Sequence, residues 1–328
     1  MDAQLDHKPF HKIGRFGRGR VRPIAFTSRD LAYLHALFTH GSLSSGMLRA
    51  LVAPDHSQRL TTDRLFLLKN PPNDFIAQPE AQERARNPYG APLAFEITEY
   101  GVCALVDSGR ISYDDLVLWR KLHSFFKPQH FDHDLAVGHI LGSLELGARE
   151  AGIGFISWRD ILNRSRCPVE TREARNPLAI PYEVSGERHA LIPDGLFGLQ
   201  YPAGACFFAL EIDMGTEQHL DSPRKSASLQ QKFRAYRTIM REKLYASRFA
   251  LPSLLLLTVT PSAARMCNMM EHVNRICDHG AKVLTNAFLF RAEPSLTRKS
   301  GRKLATDGHM LTTPWERPAH PQLNLANL

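Results

Sequence analysis

Long apolar runs are missing from this 328-residue sequence. The longest, Leu254-Leu255-Leu256-Leu257, is far short of the roughly 20 residues that cross a bilayer. The opening Met-Asp-Ala-Gln-Leu-Asp-His-Lys holds no apolar signal core. No membrane partner is expected, and the chain is expected in the cytoplasm. Cysteine is scarce: Cys103, Cys167, Cys206, Cys267 and Cys277 make an odd set, with no pair at the two-residue spacing of a zinc knuckle or redox motif. Free thiols in a reducing compartment are expected. The Gly14–Gly19 cluster lacks the Lys-Ser/Thr pair of a phosphate-cradling loop, which argues against an ATPase. No Gly-x-Ser-x-Gly elbow for acyl transfer occurs. His130, His133 and His139 lie close together without the cysteine or acidic spacing of a metal motif and are expected to be structural.

A hydrophobic fraction of 43% with 23% charged residues describes a core-forming chain. The net charge of +8 is unevenly placed. Residues 1–23 carry Lys8, Lys12, Arg15, Arg18, Arg20 and Arg22 against Asp2 and Asp6. Residues 291–328 carry six basic side chains against Glu293, Asp307 and Glu316. Positive ends suit a polyanion, although they also serve solubility. Arg18-Gly19-Arg20-Val21-Arg22-Pro23 has the look of a minor-groove arm, in which Gly-flanked arginines slip into a narrow negative groove.

The spacing predicts a helix from Thr27-Ser28-Arg29-Asp30, a capping box with Asp for Glu, through Leu31, Leu34, Leu37 and Phe38 to Gly41. A second helix is predicted at about Ser44–Leu51. A third covers about Ser57–Lys69, with Leu60, Leu65 and Leu68 inward. Two short extended stretches follow, at Phe75–Ala77 and Ala94–Ile97, and then a helix from Thr98. Three helices and a hairpin read as a winged helix-turn-helix, whose third helix enters the major groove of double-stranded DNA. Its solvent face would offer Gln58, Arg59, Thr61 and Thr62 to base edges and phosphates. Arg84 and Arg86 in the wing loop would reach the backbone, with Arg18, Arg20 and Arg22 in the arm. Such modules also bind proteins.

Beyond Gly109, a helix from about Asp132 to Ala151 is predicted. Strands follow at Phe155–Ile161, Ala190–Leu199, Cys206–Asp213, Ser253–Thr260 and Asn286–Phe290. Helices fill Pro223–Ser247 and Ser262–His279, and Arg164–Ser185 reads as a loop. This is a mixed α/β domain with a central mixed sheet. The expected organisation is a basic flexible arm over 1–25, the winged helix over 26–110, a linker over 111–130, the α/β domain over 131–293 and a tail over 294–328. Trp315 is a candidate docking anchor in that tail.

Chemistry concentrates in Ile192-Pro193-Asp194-Gly195 and Phe207–Glu217. Strand alternation puts Glu211 and Asp213 on one face while Phe208, Leu210 and Ile212 point the other way. Carboxylates on an apolar strand need a partner. Asp194, Glu211 and Asp213 would hold Mg2+ or Mn2+, or else form a polar cluster with Arg224, Lys225 or Lys232. Asp134 and Glu145 are eleven residues apart and fall within about 20° of one helix face, which makes Glu145 a candidate fourth acid.

Pro193-Asp194 followed by Glu211-Ile212-Asp213 resembles the PD-(D/E)xK nuclease core, in which Asp and Glu hold the metal and a Lys orients or activates the attacking water. Position 213 carries Asp where that pattern has Lys. Lys232 on the following helix, with Tyr236 one turn on, is the candidate substitute. The full order over residues 26–290 is a winged helix, a helix opening near His133-Asp134-Leu135, a Pro-Asp strand, Glu-Ile-Asp-x-Gly-Thr-Glu and a Lys-x-x-x-Tyr helix. It is similar to the replication-relaxation family of plasmid and conjugative-element proteins. The resemblance implies an accessory DNA-binding role in replication, relaxation or mobilisation, alongside a relaxase or replication protein.

Three readings follow, in this order. The first is a DNA-binding accessory factor on a nuclease-like fold. The second is a metal-dependent endonuclease using Asp194, Glu211 and Lys232. The third is a transcriptional regulator of a mobilisation operon. The position of the Lys232 ammonium, at the two carboxylates or in solvent, separates the first two.

Overall fold

Thr27 opens the first helix through its own side chain: its hydroxyl accepts from the Asp30 amide, and Asp30 Oδ2 accepts from the Thr27 amide at 2.7 Å. The resulting helix α1 (Ser28–His40) ends at Gly41, whose positive φ of 79° suits glycine. In this computed structural model residues 24–79, 82, 93–123, 130–215, 229–277, 282–296 and 304–328 are described. Strand β1 (Leu43–Ser44) leads into α2 (Ser45–Val52), capped by Ser44, and α3 (Gln58–Lys69) is capped by Ser57. Strands β2 (Ile76–Ala77) and β3 (Ala94–Ile97) complete an antiparallel sheet in the order β1-β3-β2. Helix α4 (Glu99–Asp107) follows, and Tyr33, Leu34, Leu37, Met47, Leu65, Phe95 and Leu105 share one core.

The inward face of α3 differs by one residue from the expected one. Thr61, Leu65 and Leu68 are buried, whereas Leu60 is 60% exposed. Positions 61, 65 and 68 follow the i, i+4, i+7 repeat of a helix face, and position 60 lies off it. Thr61 is therefore withdrawn from the solvent face, while Gln58, Arg59 and Thr62 keep it. Arg84 and Arg86, and the arm with Arg18, Arg20 and Arg22, lie outside the described residues.

The expected linker contains helix α5 (Tyr113–His123). Its Leu116 and Trp119 join the N-terminal core and its Leu118 joins the core of the larger domain. Helix α6 (Phe131–Glu150) is buried along nearly its whole length. One side lies under a seven-stranded mixed sheet, through Ala136, Ile140, Leu141 and Leu144 against Phe197, Phe208 and Leu210. Another side meets the N-terminal unit, where a Cβ on Gly138 would stand 2.2 Å from the Ser42 carbonyl oxygen.

The large sheet is built from β4 (Gly154–Ile156), β7 (Gly195–Tyr201), β8 (Gly204–Ile212), β9 (Leu255–Thr260), β10 (Phe288–Ala292), β11 (Trp315–Arg317) and β12 (His320–Leu323). Its order is β12-β11-β10-β9-β8-β7-β4, and β5 (Ile180–Val184) pairs separately with β6 (Glu187–Leu191). Strands β8, β9 and β10 are parallel, joined by crossovers that carry α7 (Leu229–Arg241) and α8 (Ala263–Cys277). These two helices cover the face opposite α6, with Phe233, Tyr236, Met269 and Val273 packed against Phe207 and Ala209.

The segment expected as a loop over Arg164–Ser185 instead holds a short helix (Val169–Glu173) and β5. The segment 294–328, expected as a tail, supplies β11 and β12. Without them β10 would present unpaired backbone groups as an edge. Trp315 is fully buried, and its indole N–H donates to the Met310 carbonyl at 2.9 Å. It anchors the chain's own C-terminal hairpin. Among the described residues no helix is long and apolar enough to cross a membrane.

Candidate active site

Asp194 stands at the entry of β7, directly after Pro193. Its Oδ2 accepts from the Ile212 amide at 2.8 Å, which ties the start of β7 to the end of β8. Glu211 is the penultimate residue of β8, in register with Thr258 on β9 and only 1% exposed. Alternation along β8 turns Phe207, Ala209 and Glu211 toward α7, so the carboxylate leaves the apolar layer where that helix begins.

Lys232 and Tyr236 are one turn apart on α7 and both reach Glu211. The Lys232 ammonium donates to Glu211 Oε2 and lies 3.5 Å from Asp194 Oδ1. The Tyr236 hydroxyl donates to Glu211 Oε1 at 2.7 Å. Lys232 is thus at the two carboxylates, the arrangement that favours the endonuclease reading. From the first turn of α6, His133 adds its Nε2 at 3.1 Å from Asp194 Oδ2, with its Nδ1 3.4 Å from Asp134 Oδ1.

The electrostatics follow from crowding two acids in a low-dielectric place. Burial, then the charge of Asp194, push the Glu211 carboxyl up to about 8 against the opposing Lys232 and Tyr236. Burial also opposes ionisation of Asp194, yet the His133 hydrogen bond and the Lys232 charge hold it below the usual range. Burial disfavours the His133 cation, but Asp134 and Asp194 outweigh it and raise His133 to about 10. Lys232 likewise pays for burial and is nonetheless raised by Glu211 and Asp194. Lys232 is therefore a charged donor near neutral pH. It can orient a water or stabilise a phosphate anion; it is not a base.

The other two expected acids are bound to other partners. Asp213 shares the Glu211 face, but the Arg265 guanidinium on α8 grips it, with Nη2 2.9 Å from Oδ1, and Thr260 donates to it at 2.9 Å. Glu145 is off the site altogether. It binds His40 Nε2 at 2.6 Å and accepts from Arg149 at 3.0 Å. Eleven residues of helix advance roughly 16 Å along the axis, so sharing a face with Asp134 does not bring Glu145 to the same place. His133, expected as structural, is the residue of α6 that arrives there. Its adjacency to Asp134 at the start of a helix preceding a Pro-Asp strand was the available signal.

Among the described residues no cluster of three or more His, Cys, Asp and Glu side chains is arranged for a metal ion. The oxygens of Asp194 and Glu211 are engaged by Lys232, His133, Tyr236 and the Ile212 amide, so a cation at these two carboxylates would have to displace some of these donors.

A replication-relaxation family model matches residues 34–251, which takes in the N-terminal unit from within α1 onward and the cluster of His133, Asp194, Glu211, Lys232 and Tyr236. The chain belongs to the replication-relaxation family. Membership points to a role in plasmid or mobile-element replication or relaxation. No curated protein and no solved structure matches this replication-relaxation protein.

Proposed function

We propose that this replication-relaxation protein binds double-stranded DNA through its N-terminal unit and hydrolyses a phosphodiester at Asp194, Glu211 and Lys232. The observation that carries the reading is the Lys232 ammonium poised between the two carboxylates. The element order α6, β4, β7, β8, α7, β9 supports it, because it has the helix, three antiparallel strands, helix and parallel strand of a PD-(D/E)xK core. Lysine enters there from α7 in place of the strand.

Asp194 and Glu211 would hold Mg2+ or Mn2+, which supplies an activated water and neutralises charge on the phosphate. Lys232 holds its proton and donates to the phosphate or water, and Tyr236 and His133 fix the two carboxylates. The order α1-β1-α2-α3-β2-β3 supports a winged helix, with Gln58, Arg59 and Thr62 of α3 toward the major groove. Arg84 and Arg86 would touch the backbone from the wing, and Arg18, Arg20 and Arg22 from the arm. A relaxase or replication protein is the proposed partner at the same site on DNA.

The test is nicking of supercoiled plasmid in Mg2+, Mn2+ or EDTA beside Glu211→Ala and Lys232→Ala. Nicking that needs the metal and falls at least about a hundredfold in both variants is the expected result. Gel shifts with no nicking in any metal would overturn hydrolysis. They would leave a DNA-binding accessory factor or a regulator of mobilisation genes. The commitment of Asp213 to Arg265, which leaves two acids at the site, favours that second reading.

A further inference from the structure

Asp194 and Lys232 line a half-open cavity of about 630 Å³, to which both the N-terminal unit and the larger domain contribute walls. It falls within the roughly 300–1,000 Å³ that accepts one small-molecule-sized ligand. A cavity of that volume matches one nucleotide rather than a length of paired duplex.

The walls suit a base. Trp119 and His123 are stacked, with ring centroids 4.5 Å apart and planes at 15°. Trp158 lies 5.5 Å from Phe38, and its indole N–H donates to the Thr39 carbonyl at 3.1 Å, which fixes the ring. Both tryptophans line the cavity that holds Asp194 and Lys232. Rigid aromatic faces beside a cation are what an unstacked base and its phosphate require. Glu96, held by the Ser42 hydroxyl at 2.5 Å, adds an acceptor for the exocyclic amine of cytosine or adenine on the same lining.

We infer that the substrate is an unpaired nucleotide of DNA, its base lodged among Trp119, Trp158 and Phe38 and its phosphate at Lys232. This rests on the proposed hydrolysis for its purpose, although the binding stands on the cavity alone. The N-terminal unit then has two tasks: it holds paired DNA on its outer surface and closes the pocket for a base that has left the stack. Paying for unstacking selects DNA that is already melted or strained.

The test uses the full chain in EDTA, so that binding is read without chemistry. Oligonucleotides carrying 2-aminopurine are offered as a single strand, in a bubble and in a perfect duplex. Quenching is expected with the single strand and the bubble and not with the duplex. Trp158→Leu and Trp119→Leu should each weaken single-strand binding roughly fivefold to a hundredfold. Trp158→Phe should keep it, and duplex gel shifts should not change. Equal response to all three DNAs in the unaltered protein, or quenching that survives both leucine variants, would overturn the inference. Quenching without nicking in any metal would leave the pocket and remove hydrolysis. Nicking of linear paired duplex as fast as the bubble, without quenching, would do the reverse.

Discussion

Lys232 neutralises two buried carboxylates from a helix, and its removal has two separable consequences. In Lys232→Met the Asp194–Glu211 pair loses its cation, and Glu211, already pushed up to about 8, is left more firmly protonated beside a less well compensated Asp194. A loss of about 2–3 kcal/mol in urea unfolding is expected. If a divalent ion shares these carboxylates, the vacated space strengthens its binding, and ligand linkage turns that into thermal stability. Mn2+ should raise the Tm of Lys232→Met more than that of the unaltered protein, and not at all once Glu211→Gln is added. Equal Mn2+ shifts in all three proteins would remove the metal from this site. Glu145 gives a pH-dependent contrast away from the chemistry. Burial opposes its charge, but His40 and Arg149 hold it at about 2, below its ordinary 4.5. A depressed acid contributes stability above its unfolded pKa and loses it as pH falls. Glu145→Gln should therefore cost on the order of 2–3 kcal/mol at pH 7. The gap to the unaltered protein should narrow below about pH 4.5 and close near 2. Unfolding midpoints measured across that range check it, and a gap independent of pH would mean that packing, not charge, is what Glu145 provides.

Helix α6 ties the N-terminal unit to the seven-stranded sheet, and its glycines decide how closely. A Cβ at position 138 would lie 2.2 Å from the Ser42 carbonyl and 3.0 Å from that of His40, both rigid backbone. At position 142 the nearest atoms are Met47 Sδ and Cγ, at 3.1 and 3.2 Å, on a flexible side chain. Gly138→Ala should destabilise by about 1–3 kcal/mol or more. Gly142→Ala should be near neutral, because the gain in helix propensity of roughly 1 kcal/mol offsets mild crowding. Unfolding in urea that ranks them the other way would show that the unit docks differently. Such interlocks explain how far the sequence was legible. That Glu211 and Asp213 share a strand face, and Lys232 and Tyr236 a helix face, was readable because those periods are local; that Asp194 and Lys232 would meet Glu211 came only from the PD-(D/E)xK resemblance. The first three helices were readable from their caps and apolar repeats, although Thr61 against Leu60 required the exact helical phase. His133, Arg265 and the cavity depend on which helix end meets which strand end, and no local period encodes that. The same holds for β11 and β12, whose short apolar content becomes a strand signal only beside the open edge of β10.

Charge across the whole molecule divides the labour between its parts. With +4 over residues 1–23 and +3 over 291–328, only +1 remains for the residues between. On α3, Asp63 pairs with Arg59, 3.8 Å away, and Arg64 pairs with Asp30, and Lys69 is the further basic side chain this helix brings to a phosphate backbone. Salt-dependent affinity for duplex DNA should come from the arm, and register from Arg59. Each phosphate neutralised contributes about −0.9 to the slope of log Kobs against log salt. Replacing Arg18, Arg20 and Arg22 together by alanine should flatten that slope by about 2–3, if each meets one phosphate. Arg59→Ala should change it by about 1 or less while weakening duplex binding at every salt concentration. Arg59→Ala should leave the Tm unchanged, because Arg59 is exposed. A slope unmoved by the triple replacement would assign the basic arm to solubility and shift the phosphate contacts to the wing arginines, Arg84 and Arg86. Those two would then be replaced, with the same slope as the readout.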